Sequence, residues 1–137
     1  MRLTSIWVAY TRGVASVIVV ATTASGGLKD VVIPQFGRAR TFTFVEISNG
    51  EIVSVEVLQN PAFEMPSGAG VRAAQLVIDK GAKVVITGNV GMKAMDVLKK
   101  AGIKIYDGAG LTVEDAIRKF IRGELEEITV ARGGGWR

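Results

Sequence analysis

The dipeptide Asn49-Gly50 separates two runs, TFTFVEIS and EIVSVEVLQ, in which Thr, Ser or Glu alternates with Phe, Val, Ile or Leu. Alternation with a period of two is the pattern of a strand that turns one face to a core. Asn-Gly between two such runs supplies the consecutive left-handed residues of a two-residue type I′ loop, whose twist matches the flanking strands. This feature ties residues 41–59 into an antiparallel hairpin and decides which side chains stand opposite each other. Both of its strands are expected to be half exposed.

Ahead of the hairpin, VASVIVVAT at residues 14–22 is a β-branched apolar run between Gly13 and an ASGG loop, as suits a central strand covered on both faces. Behind it the period becomes helical. Val71, Ala74, Val77 and Ile78 share one face of a helix that opens after Ser67 and ends at Gly81, where a left-handed glycine cap is expected. AKVVIT is then a strand, MKAMDVLKKA a helix ended by Gly102, and IKIYD another strand. The short links predict right-handed parallel crossovers. A last helix starts at Thr112, whose hydroxyl caps it, buries Val113, Ala116, Ile117, Phe120 and Ile121, and stops at Gly123. ITVAR, from Ile128, reads as an edge strand before a glycine-rich end.

The order β, β-hairpin, α, β, α, β, α is that of a ribonuclease H-like α/β motif. It predicts a mixed five-stranded sheet with three helices, and the strand order 3-2-1-4-5 is expected by analogy. Strands one and four would then be neighbours at a topological switch, and the crevice beyond their carboxyl ends is the default ligand site. Residues 14–125 are expected to form the domain, residues 1–13 an N-terminal extension able to serve as an extra edge strand, and residues 126–137 a tail.

Composition narrows the chemistry. The 137 residues contain no cysteine and no histidine, so disulfides, thiolate or imidazole metal ligation, thiol nucleophiles and histidine bases are excluded. Two-metal phosphoryl hydrolysis requires converging carboxylates. The first strand carries none, and Asp79, Asp96 and Asp115 lie on outward helix faces, so the chain reads as a non-enzyme. Seventeen Lys+Arg against thirteen Asp+Glu give a net charge of +4, which favours anionic ligands, but no basic block of the kind that binds nucleic acid is present. Arg12 and Gly13 split the apolar N-terminus into SIWVAY and VASVIVVAT, unlike a secretory leader, and no apolar run nears the roughly 20 residues of a membrane span. A cytoplasmic protein, monomeric or weakly dimeric, is expected.

Candidate anion-binding groups cluster in three places. PQFGRAR puts Arg38 and Arg40 next to a Phe-Gly turn, SGAGVR opens the first helix with Gly68, Gly70 and Arg72, and TGNVG opens the second with Gly88, Asn89 and Gly91. With ASGG, these turns are expected to present free N–H groups at one end of the sheet, since helix N-termini attract anions and glycine admits close backbone approach. Arg38 is the leading candidate. Met95 has the spacing of a core residue, while Met65 and Met92 could offer thioether sulfur. Lys99 is expected on a solvated face.

FGRA (Phe36–Ala39) followed by FTFVEISNGEIVSVEVLQNP, GAGVRAAQLVIDKGAKVVITGNVG and AMDVLKKAGIKIYDGAGLTVEDAIRKFIRGEL together resemble the dinitrogenase iron-molybdenum cofactor biosynthesis proteins of the NifX, NifY and NifB C-terminal type. The resemblance runs from about Val14 to about Leu125. It implies a ribonuclease H-like fold and the binding or carrying of an iron-sulfur or molybdenum-containing cluster, held here non-covalently, with cofactor-biosynthesis proteins as partners. Carried onto this chain, the binding residues are Gln35, Phe36, Gly37, Arg38, Arg40, Gly68, Gly70, Arg72, Gly88, Asn89 and Gly91. Gln35 stands where the family often has histidine, and an amide is a poor ligand for soft metals. The residues alone leave a second possibility open: a small-molecule or nucleotide-binding regulatory module that recognises an anion.

Overall fold

The computed structural model describes residues 16–131. Nine elements follow in chain order: β1 (Ser16–Thr23), β2 (Thr41–Ser48), β3 (Glu51–Gln59), α1 (Ala69–Asp79), β4 (Val84–Thr87), α2 (Met92–Lys100), β5 (Lys104–Asp107), α3 (Val113–Ile121) and β6 (Glu126–Glu127). They form one mixed α/β unit with a six-stranded sheet in the order β3-β2-β1-β4-β5-β6. The expected run 3-2-1-4-5 lies within that sheet, and β6 extends it beyond β5.

The hairpin forms as its turn dictates. Asn49 (φ 54°) and Gly50 (φ 77°) are both left-handed, and Ser48 pairs with Glu51. A bulge between Glu46 and Ile47 on the β2 side leaves Val53 without a partner in β2. The expectation that both strands would be half exposed fits neither: β3, at the sheet edge, buries no residue and half-buries only Ile52 and Leu58. β2 lies between β1 and β3, and it buries Phe42 and Phe44 on one face of the sheet and Val45 and Ile47 on the other. β1 runs antiparallel to β2 and parallel to β4, which itself runs parallel to β5.

The core is split by the sheet into two layers. On one side Ala73, Ala74 and Val77 of α1 and Ala94, Met95 and Leu98 of α2 pack with Val20, Val85, Ile105 and the ring cluster of Phe36, Phe42 and Phe44. On the other, Val113, Ala116 and Ile117 of α3 cover Val19, Ala21, Val45 and Ile86. Met95 is thus a core residue, and Phe120 stacks edge-on against Tyr106. Gly81, Gly102 and Gly123 end the helices in the left-handed conformation expected of them.

Two boundaries differ from the sequence reading. The C-terminal edge strand is Glu126–Glu127, antiparallel to β5, rather than ITVAR, and Ile128 is buried with its N–H donating to the Ile105 carbonyl at 2.7 Å. Sheet pairing therefore reaches past residue 125. The extension expected at residues 1–13 lies outside the described residues. Among the described residues, no helix is long and apolar enough to cross a membrane.

Candidate functional site

The crevice beyond the carboxyl ends of β1 and β4 is filled by the protein's own chain. Residues 31–36 cross it as a strap. Ile33 N–H donates to the Thr22 carbonyl at 2.9 Å, and the Thr22 hydroxyl donates to the Ile33 carbonyl at 2.7 Å. Farther along, Gln35 bridges Asn89 in parallel, Phe36 N–H donates to the Asn89 carbonyl at 3.0 Å, and Asn89 N–H donates to the Pro34 carbonyl. Val32 N–H and carbonyl engage Leu111 and Gly110 on the β5 side. Gly88 exists for this crossing, because a Cβ there would sit 2.9 Å from Pro34 Cα and from its oxygen. The default site is closed, and Gly88 and Asn89 serve the strap.

Beside the strap a cleft of about 310 Å³ stays open, lined by Phe36 and Gly37 at and just after the strap's end, by Gly68, Gly70 and Val71 at the opening of α1, and by Gly91, Met92, Lys93 and Ala94 at the opening of α2. Five of the residues proposed from sequence meet here: Phe36, Gly37, Gly68, Gly70 and Gly91. Its floor is bare backbone packed as tightly as backbone allows. A Cβ on Gly37 would come 2.9 Å from Gly70 Cα, and one on Gly70 would come 3.2 Å from Ala94 Cβ.

The first-turn N–H groups of a helix lack intrahelical acceptors. α3 closes its own: Val113 N–H reaches the Asp30 carbonyl at 2.8 Å, Glu114 N–H the Leu28 carbonyl at 2.9 Å, and Asp115 N–H the Thr112 hydroxyl at 3.1 Å. Glu114 and Asp115 add negative charge where the dipole favours it. α1 and α2 have neither provision. Gly68 and Gly91 occupy their N-cap positions, no side chain caps them, and no acid lies in either first turn. Lys93 instead stands in the first turn of α2, the end where the dipole disfavours a cation. Lys80, Lys100, Lys104, Arg118, Lys119 and Arg122 are ion-paired, whereas Lys93 and Arg72 have no ion pair among the described residues. The cleft therefore gathers two positive helix ends and a lysine, with Arg72 exposed on the next turn of α1. Two helix N-termini opening on one cleft favour negative charge there.

The other sequence candidates take different work. Arg38 donates through Nη1 to the carbonyls of Phe63 at 3.1 Å and Met65 at 2.7 Å, clamping the segment between β3 and α1. Arg40 stacks on Phe63, 4.7 Å from the ring centre, in a separate cleft of about 410 Å³ bordered by Ala24, Thr41, Gln59, Pro61 and Glu64. The ASGG turn is not a free nest: Ala24, Ser25 and Gly26 N–H groups converge on Asp30 Oδ2 at 3.0, 2.8 and 2.7 Å, and Gly27 N–H donates to the Thr43 hydroxyl. Asp30 also accepts from Val31 N–H through Oδ1. Burial raises the Asp30 pKa, and the four backbone bonds outweigh it, so the carboxyl is held below its ordinary 3.8. The turn does hold an anion, but the anion is the protein's own.

Sequence reasoning passed over Lys93 and considered Met92 only as a thioether. The signal for Lys93 was present as a cation directly after a glycine N-cap, with no acid nearby to balance it. Met92 is 77% exposed at the cleft mouth. Lys99, expected on a solvated face, donates to the Thr129 carbonyl and ties down the segment after β6. Among the described residues no three of His, Cys, Asp and Glu gather closely enough to hold a metal ion.

The family model for dinitrogenase iron-molybdenum cofactor proteins matches residues 16–123. An uncharacterised protein of Methanocaldococcus jannaschii is 37% identical over 95 residues, spanning 69% of this chain and 80% of that one. Among solved structures, the apo form of the orange protein from Desulfovibrio gigas superposes with a TM-score of 0.77 at 34% identity, covering 84% of this chain and 95% of that one. A NifB-like protein from Thermotoga gives 0.71 at 34% identity, covering 85% and 97%. The match spans the strap, both uncapped helix ends and five of the six strands, and on it the chain belongs to the dinitrogenase iron-molybdenum cofactor family.

Proposed function

We propose that this protein is a non-catalytic carrier of an anionic iron- or molybdenum-sulfur cofactor or its precursor, taken up as cargo in the cleft between the N-termini of α1 and α2. The observation that carries the reading is the convergence of two helix openings without caps or acids, beside Lys93, which has no ion pair among the described residues, in a protein whose third helix opening is sealed by its own chain. With no cysteine or histidine in the chain, the grip comes from backbone N–H groups and cations acting on the cargo's sulfide or oxo surface. Such binding is labile and weakens with salt, which suits a protein that receives cargo from one cofactor-biosynthesis partner and releases it to another in the cytoplasm. The ribonuclease H-like arrangement serves as scaffold, because its sheet aims α1 and α2 at the same point.

Anaerobic titration with tetrathiomolybdate, followed by visible absorption, tests this. Lys93→Ala should weaken binding by roughly 5- to 30-fold at low salt, as expected when one charge-assisted contact is lost. Lys83→Ala, at the amino end of β4, should bind as the wild type does. Equal behaviour of the two variants, or no binding by the wild type, removes the carrier role. The lack of soft ligands favours a second reading, an anion-sensing module for phosphate or nucleotide. If phosphate displaces thiomolybdate at comparable concentration, that reading replaces the first.

A further inference from the structure

The sheet ends on one side in β6, two residues long, and on the other in β3, nine residues long with no strand on its outer edge among the described residues. Long free edges in proteins that stay monomeric are commonly interrupted by lysine or proline. β3, EIVSVEVLQ, contains neither, and its guards are the bulge at Val53 and the charges of Glu51 and Glu56. It leaves Val53, Val55 and Val57 exposed by 55%, 39% and 41%. Of its two acids, Glu56 already has Lys80 at 3.6 Å, so its charge is partly offset at the edge.

The strand is also close to palindromic in chemical type. Antiparallel pairing of two copies about a two-fold axis at Val55 sets Val55 against its own counterpart, Val57 against Val53, Leu58 against Ile52, Glu56 against Ser54 and Gln59 against Glu51. No like charges meet, apolar residues meet apolar ones, and each acid faces an uncharged polar side chain. Shifting the axis one residue to Glu56 would set that carboxylate against itself, which is destabilising. The bulge at Val53 leaves Ser54–Gln59 as the regular part of the edge, so Ser54–Glu56 form the central ladder about the axis and the outer pairs reach across the bulge. We propose that β3 is a self-association edge, and that a second copy of this chain pairs there in the Val55 register to form a continuous sheet across an isologous dimer. A single strand pair buries less than the roughly 1,200 Å² of a stable interface, so the dissociation constant should lie at about 10–100 μM.

Sedimentation equilibrium of the full chain should show a reversible monomer–dimer equilibrium in that range. Val55→Lys and Val55→Glu should each be monomeric, with unchanged far-ultraviolet circular dichroism. Mixed together they should form a heterodimer, because only a self-opposed position pairs the two charges directly. In a chain without cysteine, Val55→Cys should cross-link to its counterpart under mild oxidation at least about tenfold faster than Ile121→Cys on α3, owing to the effective concentration within the dimer. The cross-linking arm keeps the test decisive if the charged variants fold poorly. A wild type that stays monomeric with no preferential cross-linking, as when residues 1–13 cover the edge, overturns the proposal. A dimer that survives both charge variants overturns it equally, since another face must then hold the copies together.

Discussion

Asp30 shows at the scale of one residue how this chain uses an anion. Its carboxylate collects three N–H groups on one oxygen and a fourth on the other, and it orients the loop whose Leu28 and Asp30 carbonyls cap α3. Asp30→Asn replaces an acceptor of full charge with a weaker one that also carries donors. A loss of about 1–2 kcal/mol is expected, toward the low end for charge-assisted hydrogen bonds because the group is only half-buried. The sign with pH follows from the lowered pKa. Stability from this carboxylate is complete above 3.8, the ordinary value taken for the unfolded chain, and drains as pH falls through the lower folded value, since the unfolded chain takes up the proton first. Urea denaturation should therefore find the gap between wild type and variant shrinking from about pH 6 to about pH 3. A gap independent of pH would mean that the charge does not hold the turn.

Among the elements, α1 and the strap depend on each other through missing side chains. Gly37 lies against Gly70, so Gly37→Ala must push the strap off the first turn of α1. The expected cost is about 1–3 kcal/mol, as for overpacking elsewhere, together with weaker binding of thiomolybdate. Gly91 lines the same cleft, yet a Cβ there meets nothing within 4 Å and its φ of −66° suits any residue. Gly91→Ala should keep the wild-type melting temperature. Thermal unfolding of the two variants distinguishes a glycine required by packing from one that merely borders the cleft. Similar melting of both would show that the close contact of the strap with α1 is not a constraint.

For the whole molecule, the sixth strand closes the sheet beyond β5 and brings Ile128 into the core layer beneath α2. Ile128→Ala should destabilise the protein by about 2–4 kcal/mol, the range for truncating a buried isoleucine, measured as a lower urea midpoint with a similar slope. If residues after 125 were a loose tail, the variant would be neutral. The Lys99 bond to the Thr129 carbonyl points the same way, holding this segment against α2.

What the sequence determined by itself was set by interactions a few residues long. The turn at Asn49 and Gly50, the caps at Gly81, Gly102, Thr112 and Gly123, and the periodicities of strands and helices follow from backbone preferences and local side-chain bonds. With them came three helices and the mixed sheet. The grouping of Phe36, Gly37, Gly68, Gly70 and Gly91 at one end of the sheet was also legible, since these five residues line one cleft. Only the tertiary structure decided which anion-ready turns remain open. Whether a backbone N–H is free depends on what the fold brings to it. Asp30 fills the ASGG turn, residues 31–36 seal the switch-point crevice, and the Phe63 and Met65 carbonyls engage Arg38, while the ends of α1 and α2 receive no side-chain cap among the described residues and border one glycine-lined cleft. A sequence states a group's capacity to bond, and long-range packing spends or spares that capacity by supplying or withholding the partner.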